Sequence, residues 1–247
     1  MSACLNLQNV SYKNILKDIN LELQSKKLYI LCGPTGSGKT TFAKCILNLV
    51  DYTGKIEKNN INSVSYLGDI NLFIKKNVID NIVFSIENAG IKKTEARKKA
   101  YDISKKMGIT DLMFKMENEL TYSEKKIVMF TMLISKESDL MIIDDPLDIN
   151  TLYRKKILDY LVKLAKNSLV VFITNKEEDF MLADNIIVIN DGKIIKSGVI
   201  DELLKDEKLF IKNKLKVPFS YQLSSKLVSY GLLEEELNNI DDIIGKL

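Results

Sequence analysis

Apolar residues along the chain fall into two rhythms. Leu28-Tyr29-Ile30-Leu31-Cys32, Leu140-Met141-Ile142-Ile143 and Leu169-Val170-Val171-Phe172-Ile173 are short unbroken runs, the pattern of strands covered on both faces. From Ile15 to Leu23 apolar and polar residues alternate, which predicts a half-buried antiparallel strand. Leu5, Leu7 and Val10-Ser11-Tyr12 predict an edge strand before it. Shorter strands are predicted after Tyr52-Thr53-Gly54 and over 62–67. Ile186–Ile189 and Lys193–Ile195 flank Asn190-Asp191-Gly192, a hairpin signal. Between the strands the spacing turns helical: Phe42, Ile46 and Leu49; then Val78, Ile82, Val83 and Ile86. Thr94 to Met107 reads as a basic amphipathic helix stopped by Gly108. Two further helices carry Ile127, Val128, Phe130, Thr131 and Ile134, and Ile157, Leu158, Leu161 and Leu164. Near the end, Leu223, Leu227, Val228, Leu232 and Leu233 predict an amphipathic helix that must bury a face, against its own core or a partner. Parallel strands followed by helices, after an antiparallel start, make an α/β core.

Composition changes this picture mainly by exclusion. With 247 residues, 46% hydrophobic and 28% charged, the chain suits one globular domain with an appendage. A net charge of +3 is too small to argue for a nucleic-acid partner. There is no histidine, so the usual near-neutral acid/base and the commonest metal ligand are gone, and any general base must be a carboxylate. The cysteines, Cys4, Cys32 and Cys45, have no metal-type spacing and are expected to be reduced thiols of a cytosolic protein. No signal peptide opens the chain and no apolar run reaches the length of a membrane span, so membrane contact is expected only through a partner.

The chemistry concentrates in Gly33-Pro34-Thr35-Gly36-Ser37-Gly38-Lys39-Thr40, which fits the phosphate-binding pattern G-x-x-x-x-G-K-[ST] at every fixed position. A predicted strand precedes it and a helix follows, as the motif requires. Glycines let successive N–H groups curl around phosphate oxygens, and the helix start adds the positive end of a dipole. Lys39 can reach the β- and γ-phosphates, and the Thr40 hydroxyl can hold Mg²⁺. Asp144, ending an apolar strand, is the second element of a nucleotide site and can hold a Mg²⁺-bound water. Tyr12 has two readings: strand packing, or stacking on an adenine ring.

The order of these elements resembles the ATP-binding subunit of an ABC transporter over residues 1 to about 205. Leu120-Thr121-Tyr122-Ser123-Glu124 stands where that family has L-S-G-G-Q, Asp144-Asp145-Pro146 where it has D-E-P, and Thr174-Asn175 where it has T-H. Val78 through Ile91, and the tail from Val217-Pro218-Phe219 to Tyr230-Gly231, are similar to energy-coupling factor (ECF) transporter ATPases. The resemblance implies a P-loop NTPase fold with an antiparallel β subdomain, a helical subdomain over about 69–138, and a C-terminal helical tail over 206–247 that serves dimerisation. It implies ATP and Mg²⁺ as cofactors, with Tyr12, Gly33, Thr35, Gly36, Ser37, Gly38, Lys39, Thr40 and Thr41 binding ATP. Thr40 and Asp144 would hold Mg²⁺, and Leu120, Thr121, Tyr122, Ser123 and Glu124 would serve the partner's nucleotide in trans.

The departures fall on catalysis. The family's Q-loop glutamine is missing, with Asp69 the nearest polar residue, while Asp145 replaces the catalytic glutamate and Asn175 the switch histidine. Tyr122 and Ser123 replace the signature glycines and Glu124 its glutamine. The resemblance therefore implies an ATP-binding subunit of an ECF-type importer of vitamins or metal ions, with weakened hydrolysis at its own site. It would pair with a second ATPase, a heterodimer being favoured over a homodimer, and with integral-membrane scaffold and substrate-binding subunits at the cytoplasmic face of the membrane. The alternative from a different class is a non-hydrolysing ATP-binding module that regulates or completes such an assembly.

Overall fold

The computed structural model describes residues 3–68, 71–144, 149–237 and 240–246. They fall into two compact units, one mainly Lys58–Val171 and one mainly Asn6–Glu22, Lys27–Glu57 and Phe172–Leu247.

In the first unit, β5 (Val64–Leu67) runs parallel to β6 (Leu140–Ile143), with Val64 opposite Leu140 and Leu67 opposite Ile143. Every residue of β6 is buried, which explains its unbroken apolar run. The start of β7 (Leu169–Ile173) lies on the other side of β6. The α-helices that accompany these strands are α2 (Val78–Glu87), α3 (Lys93–Met107), α4 (Tyr122–Ile134) and α5 (Thr151–Ala165). The α2 stripe Val78, Ile82, Val83 and Ile86 is buried as its spacing predicts. Asn77 caps this helix, its side chain accepting the Asp80 N–H at 2.9 Å. Fully buried Asn81 fixes the preceding turn, accepting the N–H groups of Ile74 and Lys75 and donating to the carbonyls of Lys75 and Asn77. Gly108 ends α3 in the left-handed conformation.

In the second unit, β3 (Lys27–Cys32) runs parallel to β8 (Asn185–Asn190), which turns back antiparallel into β9 (Lys193–Val199). Asp191 and Gly192 both have positive φ, giving the two-residue turn that matches strand twist. β1 (Cys4–Tyr12), β2 (Leu16–Gln24) and β4 (Thr53–Asn59), most of whose residues lie here, form a separate three-stranded sheet. The order is β2-β1-β4, so β1 is its middle strand and not the edge the sequence predicts. The alternation expected for β2 also shifts: Leu16, Ile19 and Leu23 are the buried positions. Asp18 explains this, since its left-handed backbone (φ 52) re-aims the side chains that follow. Helix α1 (Lys39–Ile46) buries Phe42 and Ile46 but ends before Leu49, which is 61% exposed. After β7 come α6 (Glu177–Phe180), α7 (Ile200–Leu204), α8 (Glu207–Lys212), α9 (Phe219–Ser229) and α10 (Ile240–Lys246). Along α9 the buried residues are Tyr221 and Ser224, while Leu223, Leu227 and Val228 are half-buried; beyond it Leu233 is buried and Leu232 exposed.

Candidate nucleotide site

The phosphate-binding loop occupies the turn between β3 and α1 in the second unit. Its first glycine is wedged against β8, since a side chain at Gly33 would overlap the carbonyl oxygen of Ile189. The Gly33 N–H donates to Asn175 Oδ1 at 3.1 Å. The Lys39 ammonium folds back on the loop, donating to the carbonyls of Gly33 at 2.6 Å and Pro34 at 2.8 Å. Ser37 takes the Gly192 N–H on its carbonyl at 3.1 Å, so the β8–β9 turn braces the loop. Gly38 is the N-cap residue of α1, and no side chain caps that helix.

Three features of this loop fit a phosphate chain. The α1 start lacks the side-chain acceptor that its first N–H groups would otherwise take. The Ser37 hydroxyl is buried with no hydrogen-bond partner. Gly36, at φ 80, has open space where a side chain would stand. Thr35, Gly36 and Thr40 are exposed and Thr41 is half-buried. Tyr12 ends β1 half-buried with the Lys13 ammonium 5.1 Å from its ring centre. Cys32, next to the loop, is a packing residue: burial pushes its thiol up to about 12, with the Lys39 charge opposing.

Asp144 lies in the first unit, at the end of β6, where its N–H donates to the Leu67 carbonyl at 2.7 Å. Tyr66 of β5 donates its hydroxyl to Asp144 Oδ2 at 3.4 Å. This phenol lies over Gly68, where any side chain would displace it. Neither Tyr66 nor Gly68 stands out by motif. Their signal is local: Gly68 follows β5 two residues after Tyr66, and only glycine leaves the aromatic room there.

The signature-like segment opens α4 in the same unit. Thr121 and Glu124 form a reciprocal capping box: Thr121 N–H to Glu124 Oε2 at 2.7 Å, Glu124 N–H to Thr121 Oγ1 at 3.3 Å. Lys115 adds an ion pair to Glu124 Oε1 at 3.0 Å. Glu124 is held below its ordinary value by accepting the Thr121 N–H, with burial opposing and Lys115 assisting. Ser123 Oγ accepts the N–H of Asn150, the residue that caps α5. Leu120 is buried, whereas Tyr122 is 58% exposed with the Lys126 ammonium 5.4 Å from its ring centre. Of the expected catalytic set, Asn175 joins the loop; Asp69 and Asp145 lie outside the described residues. Among the described residues no cluster of acidic or cysteine side chains forms a separate metal centre.

Comparison with known proteins agrees with this geometry. A family model described as "ABC transporter" matches residues 16–148, more than half of the chain. The energy-coupling factor transporter ATP-binding protein EcfA of Pediococcus pentosaceus is 25% identical, over 94% of this chain and 91% of its own length. EcfA1 of Lactobacillus acidophilus is 29% identical over 89% and 85%. An ABC transporter ATP-binding subunit of known structure superposes with a TM-score of 0.76 at 16% identity, covering 85% of this chain and 99% of that one. The cbiO1 protein of Clostridium perfringens, part of an ABC transporter complex, gives 0.70 at 21% identity, covering 86% and 94%. These two likenesses are of fold.

Proposed function

This chain belongs to the ABC transporter family, and on that footing we propose that it is the ATP-binding subunit of an ECF-type importer of vitamins or metal ions. The observation that carries the reading is the loop from Gly33 to Thr40: an uncapped helix start, an unpartnered buried hydroxyl and a lysine ammonium converge on one turn. Bound MgATP would supply a phosphoanhydride bond whose hydrolysis can drive work. Lys39 would exchange its carbonyl partners for phosphate oxygens, and the N–H groups at the start of α1 would hold the same chain of phosphates. Thr40 and Asp144 would hold the Mg²⁺, with Tyr66 orienting the Asp144 carboxylate.

A second ATPase subunit would complete the site, each nucleotide lying between one chain's loop and the other's signature segment. Thr121 and Glu124 meet that role already engaged in a helix cap, and Tyr122 projects where the family has glycine. Hydrolysis in this chain's own loop would rest on Asp145, one methylene shorter than glutamate, and a shift of about 1 Å can cost about a hundredfold in rate. An ATP-binding subunit that hydrolyses little at its own site, or none, is the second reading these features favour. Attachment to the cytoplasmic face would come through a membrane scaffold. The docking surface would be the face around a cavity of about 120 Å³ bounded in part by Leu72, Ile74, Phe84 and Met132, with Ile74 exposed at its rim.

The test is a calorimetric titration of the chain with MgATP, beside Lys39→Ala. Removing a charged donor to the phosphates should weaken binding about ten- to a hundredfold. Equal affinity in the two proteins would remove the loop from the nucleotide site.

A further inference from the structure

Asn175 stands where the family has its switch histidine, and its side chain is engaged with the phosphate-binding loop itself. Its side-chain oxygen accepts the Gly33 N–H across 142 residues of sequence. The residue projects from a braced corner. Just before it, the Thr174 N–H donates to the Leu31 carbonyl at 3.3 Å, tying the end of β7 to β3. The Thr174 hydroxyl donates to buried Asp179 at 2.8 Å and accepts the Lys176 N–H at 3.1 Å. Gly33 is thereby held at three points: its N–H by Asn175, its carbonyl by Lys39, and its bare α-carbon against Ile189. When Lys39 turns to a phosphate, the carbonyl hold is released. Asn175 and the β8 backbone then keep the first turn of the loop in place.

We propose that Asn175 is a positioning residue: it latches the phosphate-binding loop open for any nucleotide with a β-phosphate and does not discriminate ATP from ADP. The oxygen end of the amide is given to the loop, and a preformed loop saves the ordering that binding would otherwise require. The inference rests on the loop being the nucleotide site, so its first readout uses no nucleotide.

Amide hydrogen exchange at Gly33, followed by NMR on the ligand-free chain, should quicken in Asn175→Ala and stay slow in Asn175→Asp, which keeps the acceptor. Unchanged protection in Asn175→Ala overturns the latch whether or not the chain binds ATP. Calorimetry should then show ATP and ADP weakened by the same factor in Asn175→Ala, roughly two- to tenfold for one hydrogen bond of ordinary strength. A loss confined to ATP would make Asn175 a sensor of the γ-phosphate, and no loss for either nucleotide would leave the contact idle; both overturn the proposal. Because Asn175 is exposed, the variant should melt with the parent, so a general loosening of the fold would be visible as a lowered Tm.

Discussion

Glu124 has a structural role that its place in the sequence does not reveal. The motif places it where a glutamine belongs, and only the structure shows its carboxylate closing the cap of α4 and pairing with Lys115. Because its folded pKa lies below the ordinary value, the stability it contributes is present above the unfolded value of about 4.3 and is lost as pH falls through the lower folded one. Glu124→Gln keeps an oxygen for the Thr121 N–H but loses the charge. The parent should therefore melt higher than this variant at pH 7, and the gap should close below about pH 4. A gap in Tm that is constant between those pH values would mean the charge contributes nothing to the cap. Residue identity made the loop legible, since Gly33, Gly38, Lys39 and Thr40 sit at the pattern's fixed positions. It could not show that Gly33 bonds Asn175 or that Tyr66 bonds Asp144, because those contacts join segments distant in sequence.

At the scale of elements, the turn between β8 and β9 braces two others. The Gly192 carbonyl accepts the Lys17 N–H of β2 at 2.8 Å, and its N–H donates to Ser37 in the loop. A side chain at Gly192 would meet the Ile15 carbonyl, and its φ of 75° is left-handed. Gly90, at φ 87, has nothing within 4 Å, so alanine there adds only the left-handed strain of about 1–2 kcal/mol. Gly192→Ala should cost more, by about 1 kcal/mol or above, because backbone rather than a movable side chain stands in the way. Urea denaturation of both variants checks this, and equal costs would show that the turn yields freely. The hairpin itself was legible from Asn190-Asp191-Gly192 because its turn chemistry is local. The middle position of β1 was not, since it depends on pairing with β4, whose residues lie more than 40 positions later. Leu49 fits the helical period of α1, yet the helix stops at Ile46 and the period runs on without it.

For the molecule as a whole, the proposed pairing with a second ATPase implies a division of labour that can be tested. If hydrolysis runs mainly where a partner ATPase supplies the catalytic carboxylate, Asp145→Asn should change the turnover of the pair by less than about twofold. Replacing the partner's carboxylate should then stop turnover, as removal of a required base does. Loss of most activity with Asp145→Asn would make Asp145 a working base. The carbonyl contacts of Lys39 bear on which anions such a molecule would admit. Its ammonium starts with two carbonyl oxygens of its own loop, so an arriving anion competes with an internal substitute. Selectivity is a difference of affinities. A lone inorganic phosphate would bring one anionic group to that contest, whereas a nucleotide's linked phosphates would displace the carbonyls and engage the α1 start together. If the loop is the nucleotide site, that internal competition would disfavour small anions relative to a nucleotide.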